Sequence, residues 1–235
     1  MEQSLFHVQS GTTRAKLLYS AVLLFLERGY QNTTAQMISE KIGMTTGAFF
    51  RAFPNKESLL YTLTEYMLDI LFDRAANELG PETDPLLVYS VSISVQFHIA
   101  ELSASLQDVY VTAYSLPSTS ECIYQKVTKK TVRFFQQYLP DFEEKDFYET
   151  EIATGGMVRS YLARKCDLYF TIEQKLRRFL SASLTVYNVP RETREKIIGQ
   201  TLAQDLHGMA QQLLEDTVAQ AERGFDRELR SGIST

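Results

Sequence analysis

Residues 34–60 read TAQMISEKIGMTTGAFFRAFPNKESLL, a run that spells out two short helices and the tight link between them. Thr34 offers a hydroxyl to cap the first, whose apolar face is Met37, Ile38 and Ile42. Gly43 stops it, because glycine takes the left-handed conformation without steric cost. Thr45 is placed to cap the second, which runs through Gly47, Ala48, Phe49 and Phe50 to Phe53 before Pro54 ends it. Asn55 then caps a longer helix, Glu57 suits its positive N-terminal dipole, and Leu59, Leu60, Leu63, Met67, Ile70 and Leu71 carry an apolar face to about residue 79. Two short helices at this spacing, the first lying across the second, are how a helix-turn-helix presents its second helix to a DNA groove.

Upstream, Leu17, Leu18, Ala21, Val22, Phe25 and Leu26 recur at three- and four-residue steps, and Gly29 supplies a stop, which makes residues 12–29 the first helix of a three-helix head. Residues 1–11 hold no period and are expected to form a mobile arm. Downstream, the breaker cluster GPETDP at 80–85 precedes a body that reads helical throughout, at about 86–104, 106–115, 118–139, 144–165, 171–187 and 191–224. The alternation Val91, Ser92, Ile93, Ser94, Val95 is strand-like, but it sits inside a longer apolar run with no turn pair and is assigned to a helix. The expectation is an all-α chain: an arm at 1–11, a DNA-binding head at 12–58, a body at 59–235, and a fourth helix at about 56–79 linking the last two.

The net charge of −5 looks wrong for a nucleic-acid binder until it is divided along the chain. Residues 1–60 carry six Lys/Arg against four acids, so the head is +2 and the remainder −7. The 44% hydrophobic and 23% charged content is that of a globular protein. The longest apolar stretches fall short of the roughly 18 residues a membrane span needs, and no signal pattern opens the chain, so a cytoplasmic protein without membrane association is expected. Cys122 and Cys166 stand alone, and the three histidines are scattered without ligand spacing. No Walker loop, GxGxxG, GxSxG, HExxH or CxxC occurs, so neither a cofactor, a metal nor an enzymatic activity is expected.

Nearly every position of residues 34–60 resembles the N-terminal domain of the TetR family of regulators. Thr34 opens the second helix, Ile38 sits in its core and Gly43 in the turn. Thr45 stands where Ser or Thr caps the recognition helix, with Gly47 in its first turn, and Phe49, Phe53, Lys56, Glu57 and Leu59 complete the pattern. The first helix matches as well. Where the family commonly has a Tyr followed by Tyr or His in the recognition helix, this chain has Phe50, Arg51 and Ala52. Phe50 has no hydroxyl for a phosphate and is open to packing or to sugar-phosphate contact. Arg51 can take a phosphate or a guanine edge bidentately.

The resemblance implies a transcriptional regulator, a repressor that binds double-stranded operator DNA as a homodimer and is released by a small-molecule effector. Its DNA-binding residues would be Thr34, Gln36, Thr45, Thr46, Gly47, Ala48, Phe50, Arg51 and Lys56, with Thr45, Thr46, Ala48 and Arg51 the exposed base-reading candidates and Lys56 a contact to the DNA backbone. For the effector, Phe97, His98, Tyr110, Tyr114, Phe134, Tyr138 and Tyr161 are candidate pocket walls, each with core packing as the plainer alternative. Leu202, Leu206, Met209 and Leu213 form a helical stripe suited either to a second copy of the chain or to an intramolecular partner. Coupling between body and head is expected to run through the fourth helix. A helical architectural or partner-binding protein without an effector is the alternative function.

Overall fold

The computed structural model describes residues 12–231, so the expected arm at 1–11 lies outside the described residues. Among the described residues eleven helices follow in order: α1 Thr13–Arg28, α2 Ala35–Glu40, α3 Thr46–Ala52, α4 Lys56–Leu79, α5 Pro85–Leu102, α6 Ala104–Ala113, α7 Pro117–Phe135, α8 Glu144–Ala163, α9 Ile172–Val186, α10 Arg191–Leu202 and α11 Leu206–Ser231. Among the described residues there is no strand, as the all-α reading required.

Local chemistry sets most of the boundaries. Thr12, Thr34, Asn55, Ser103 and Thr171 each accept a backbone N–H at the start of a helix, and Asn55 closes a reciprocal capping box with Ser58. Pro85 and Pro117 occupy first helical positions, where a missing N–H costs nothing. One expected helix is two: residues 191–224 break at Ala203 to Asp205, where the Asp205 carboxylate accepts the Gly208 N–H and starts α11. The apolar spacing runs on through this break, so periodicity alone could not reveal it.

The body is arranged around α5. This helix packs against α4, α6, α7, α9, α10 and α11, and its residues from Tyr89 to Phe97 are all buried. Being surrounded explains why its sequence shows no polar face. By length and composition α5 could cross a membrane, contrary to the expectation that no stretch reaches that length, but 67% of it is buried inside the bundle. Two of its three serines tolerate that burial by bonding backward along the helix, Ser92 Oγ to the Val88 carbonyl at 2.7 Å and Ser94 Oγ to that of Ser90 at 2.6 Å, while the buried Ser90 hydroxyl has no partner among the described residues. The head is not detached from this body. Leu17, Leu18 and Phe25 of α1 belong to the same contiguous core as α5 and α11, and α1 packs on α6 and α11 as well as on α2 and α3.

Candidate nucleic-acid interface and the cavity behind it

Thr34 Oγ1 accepts the Met37 N–H at 3.1 Å and fixes the start of α2. The turn to α3 passes through Gly43 at φ +67°, a left-handed position that disfavours any side chain with a Cβ. α3 then buries Ala48 and Phe49, and Phe49 meets Phe53 with ring centroids 5.9 Å apart. The opposite side of α3 turns to solvent and carries Thr45, Gly47, Phe50 and Arg51, with Thr46 half-buried at its edge. Phe50 is 54% exposed, although its ring touches Phe49 edge-on. Arg51 is exposed and makes no ion pair or hydrogen bond among the described residues.

The orientation of this pair of helices is held by polar groups reaching across to backbone carbonyls. Ser20 Oγ of α1 donates to the Ile38 carbonyl at 2.8 Å. Arg14 donates to the Ala52 carbonyl at 2.9 Å and to Thr62 Oγ1 at 3.1 Å, with its guanidinium 4.1 Å from the centre of the Phe53 ring. Lys56 Nζ donates to the carbonyls of Tyr30 and Thr33, each at 2.7 Å, and lies 3.9 Å from the Tyr30 ring centre. Burial lowers the Lys56 pKa while the nearby Asp108 charge opposes that shift.

These contacts revise two expectations. Ala48 is not an exposed reader: at 8% exposure it packs inward with Phe49, because the helical phase that turns Arg51 and Phe50 outward turns Ala48 toward the head. The Lys56 ammonium, expected to contact the DNA backbone, is instead bonded to the turn between α1 and α2. Gln36 and Thr34 are exposed as expected, with Gln36 also bonded to Glu40 at 2.7 Å. Lys41, in the turn before α3, is an exposed cation that the sequence reading passed over, since a lysine in a loop carries no distinguishing local signal.

Behind the head, residues of α1, α4, α5, α6, α7 and α11 line a cavity of about 100 Å³. Its walls are almost wholly apolar, from Phe25 of α1 through Leu63 and Met67 of α4 to Leu213 of α11. Polar groups enter at few points. Tyr114 donates from its hydroxyl to Gln96 Oε1 at 3.2 Å, and the Tyr110 hydroxyl has no hydrogen-bond partner among the described residues. Burial pushes the pKa of both tyrosines far above the usual value, so they are neutral hydroxyls.

Of the seven aromatic candidates, then, Tyr110 and Tyr114 line this cavity and the others do not. Phe97 and Tyr161 stack on each other at 6.3 Å and pack with Phe179 on another side of α5; the helical phase that brings Gln96 and Ile99 to the cavity turns Phe97 away. Phe134 packs among Phe72, Tyr89 and Phe135. Tyr138 lies beyond the end of α7, where its carbonyl accepts from Asn188. His98 faces His207, ring centroids 6.0 Å apart, in a separate open groove bordered by α5, the segment from Cys166 to Ile172 and the start of α11. The expected dimer stripe is also corrected in part: Leu206 and Leu213 are buried within the chain at 4% and 3% exposure, where α11 packs on α1 and α5, and Met209 and Leu202 are half-buried beside them.

Residues 17–62 match the family model described as bacterial regulatory proteins, tetR family. The chain is 27% identical over 120 residues to the uncharacterized HTH-type transcriptional regulator YuxN of Bacillus subtilis, covering 50% of this chain and 41% of that one. It is 32% identical over 78 residues to the HTH-type transcriptional repressor KstR2 of Mycolicibacterium smegmatis, covering 33% of this chain and 38% of that one. The match thus spans less than half the length of either relative. In fold, the chain is similar to RolR solved in complex with resorcinol, with a TM-score of 0.63, 20% identity, and coverage of 79% of this chain and 92% of that one.

Proposed function

We propose that this chain, a member of the tetR family of bacterial regulatory proteins through its N-terminal domain, is a cytoplasmic, homodimeric repressor that grips operator DNA with α3 and releases it when a small apolar molecule fills the cavity. The observation that carries the reading is a juxtaposition: a stapled helix-turn-helix that shows Thr45 and Arg51 to solvent, with Thr46 at the edge, seated on a body that holds an apolar cavity against α1 and α4. Arg51 is the side chain long enough and free enough to take a guanine edge bidentately, while Thr34, Gln36 and Lys41 are disposed to fix register on phosphates. The relatives by sequence are named as a regulator and a repressor, which supports a regulator rather than an enzyme.

The cavity sets the class of effector. Apolar cavities of roughly 150 Å³ take up benzene, so a space of about 100 Å³ with modest side-chain adjustment suits one ring. The Tyr110 hydroxyl and the Tyr114–Gln96 pair favour a ring bearing a hydroxyl, and resorcinol, named with the neighbouring fold RolR, is a sensible first probe. For the dimer, α8 and α9 pack on each other and leave Ile152 and Val186 exposed at 45% and 43%. A twofold contact there would set two copies of α3 on successive major-groove half-sites about 34 Å apart. Binding that favours a different spacing then shifts the population away from the DNA-competent form.

Selection of duplexes from random DNA tests the first part. Wild-type protein should enrich one palindromic sequence, and Arg51→Ala should bind it at least ten-fold more weakly with relaxed preference at one position per half-site. Unaltered preference and affinity in Arg51→Ala would remove Arg51 from the interface, and failure of the wild type to enrich any duplex at low salt would sink the reading.

A further inference from the structure

We propose that Asp108 on α6 is the positioning residue through which the state of the cavity reaches the DNA-binding head. The proposal rests on the regulator reading above and names the route of its control. One side of α6 forms cavity wall, with Val109, Tyr110 and Ala113. Another side grips the turn between α1 and α2: Asp108 Oδ2 accepts the Gln31 backbone N–H at 2.8 Å, and Thr112 Oγ1 accepts from Gln31 Nε2 at 3.4 Å. The approach is close enough to dictate sequence. Gly29 sits at φ +79°, and a Cβ there would fall 2.6 Å from Asp108 Oδ2, so the carboxylate occupies the space a side chain would need.

From the other side the same turn is held by Lys56, which bonds the Tyr30 and Thr33 carbonyls and feels the Asp108 charge. Within the turn, Thr33 Oγ1 donates to the Gly29 carbonyl at 2.7 Å, and the next residue, Thr34, caps α2. A displacement of α6 therefore reaches the start of the helix-turn-helix chiefly through the Asp108 carboxylate, the shortest of the bonds α6 makes there, with Thr112 and Ser105 adding longer ones at 3.4 and 3.3 Å. Asp108 lies two residues from Tyr110 on a short, hydrogen-bonded helix, so a molecule that pushes Tyr110 also moves the clamp. This path is shorter than one along α4 and acts beside it.

A double-substitution cycle on the full chain, with no added ligand, tests this. Ala113→Leu fills the cavity from α6; Asp108→Ala removes the clamp, and Asp108→Asn keeps an acceptor for Gln31. Affinity is read with the duplex that wild-type protein selects, and hydrogen exchange is read at the Gln31 amide, with melting curves confirming that each variant is folded. Ala113→Leu is expected to weaken duplex binding at least ten-fold in the wild-type background and less than three-fold in the Asp108→Ala background. Asp108→Ala should speed Gln31 exchange at least ten-fold, and Asp108→Asn less than three-fold. Equal effects of Ala113→Leu in the two backgrounds, including no effect in either, would overturn the proposal. If the wild type selects no duplex, the regulator reading falls by itself and exchange alone decides: a Gln31 amide no better protected in wild type than in Asp108→Ala overturns the clamp.

Discussion

Two sides of α5 have been built on opposite principles. Toward α1, α4 and α6 the helix looks into an apolar cavity of about 100 Å³ whose few polar groups are sparsely paired. Toward α7, α8 and α9 it meets a close-packed cluster of rings and polar groups: Phe135 stacks on Tyr187 at 4.0 Å, Tyr89 shares a 2.6 Å hydrogen bond with Ser183, and Tyr187 donates at 2.9 Å to the carboxyl of Glu151. Thr154 adds a further bond to Glu151 at 2.8 Å. A dense, hydrogen-bonded cluster admits one arrangement, since every buried polar group left unpaired is costly. A cavity lined by side chains that already lack neighbours on one side can be entered or reshaped at far less cost. The filled side thus supplies a fixed frame, and the empty side the part free to respond.

The strongest challenge to this contrast is Phe135→Ala, which should cost about 3–5 kcal/mol and lower the melting temperature by roughly 10 °C or more. Met67→Ala on the cavity wall should cost less than half as much; equal losses in thermal melts would mean that the two sides are packed alike. Next comes the buried carboxyl. Burial pushes the Glu151 pKa up to about 7, opposed by its hydrogen bonds from Thr154 and Tyr187. The group is thus protonated more readily in the folded chain than in the unfolded one, where a glutamate titrates near 4.3. Its contribution to stability is fully present below that unfolded value and is lost as pH rises through about 7. Wild-type protein should accordingly lose about 3 kcal/mol between pH 5 and pH 8 from this group, and Glu151→Gln should flatten that slope in denaturant titrations.

A matched pair of smaller changes sharpens the comparison. Thr154→Val, which strips a hydroxyl bonded within the Glu151 cluster, should destabilise by about 1–3 kcal/mol. Thr64→Val places the same exchange on the cavity wall, where the hydroxyl has no partner among the described residues, and should shift stability by less than about 1 kcal/mol, toward the more stable side. Chemical denaturation of the two variants side by side checks both. A larger loss from Thr64→Val than from Thr154→Val would reverse the assignment of which side is fixed.

What the sequence disclosed and what it hid divide along the range of the interaction involved. The capping residues Thr34 and Asn55, the glycine in the turn and the phenylalanines of α3 act within a few residues of themselves, and their pattern placed the helix-turn-helix correctly. Ala48 was misread because a seven-residue helix leaves its phase to be settled by what packs behind it. Arg14 and Lys56 look like any surface cations in sequence; only the approach of the Ala52 carbonyl and Thr62 to Arg14, and of the Tyr30 and Thr33 carbonyls to Lys56, decides that they face inward. In the body, aromatic content pointed to a pocket, but two of seven candidates reached it, since one step of 100° around α5 separates Gln96 from Phe97. Asp108 had no local signature at all, because its partner lies 77 residues away.

The inward-facing cations carry a consequence for how binding will respond to ionic conditions. Of the six Lys and Arg in the head, Arg14 and Lys56 are spent on backbone carbonyls and Arg28 is paired with Glu27, leaving Lys16, Lys41 and Arg51 without an ion pair among the described residues. In the proposed dimer, two such heads on one duplex would displace at most about six counterions, so the logarithm of affinity should fall against the logarithm of salt concentration with a slope no steeper than about −5. On the proposed reading, a protein so economical in phosphate neutralisation would hold weakly to arbitrary sequence and would owe its grip on a chosen site to the fit of a few side chains in the groove.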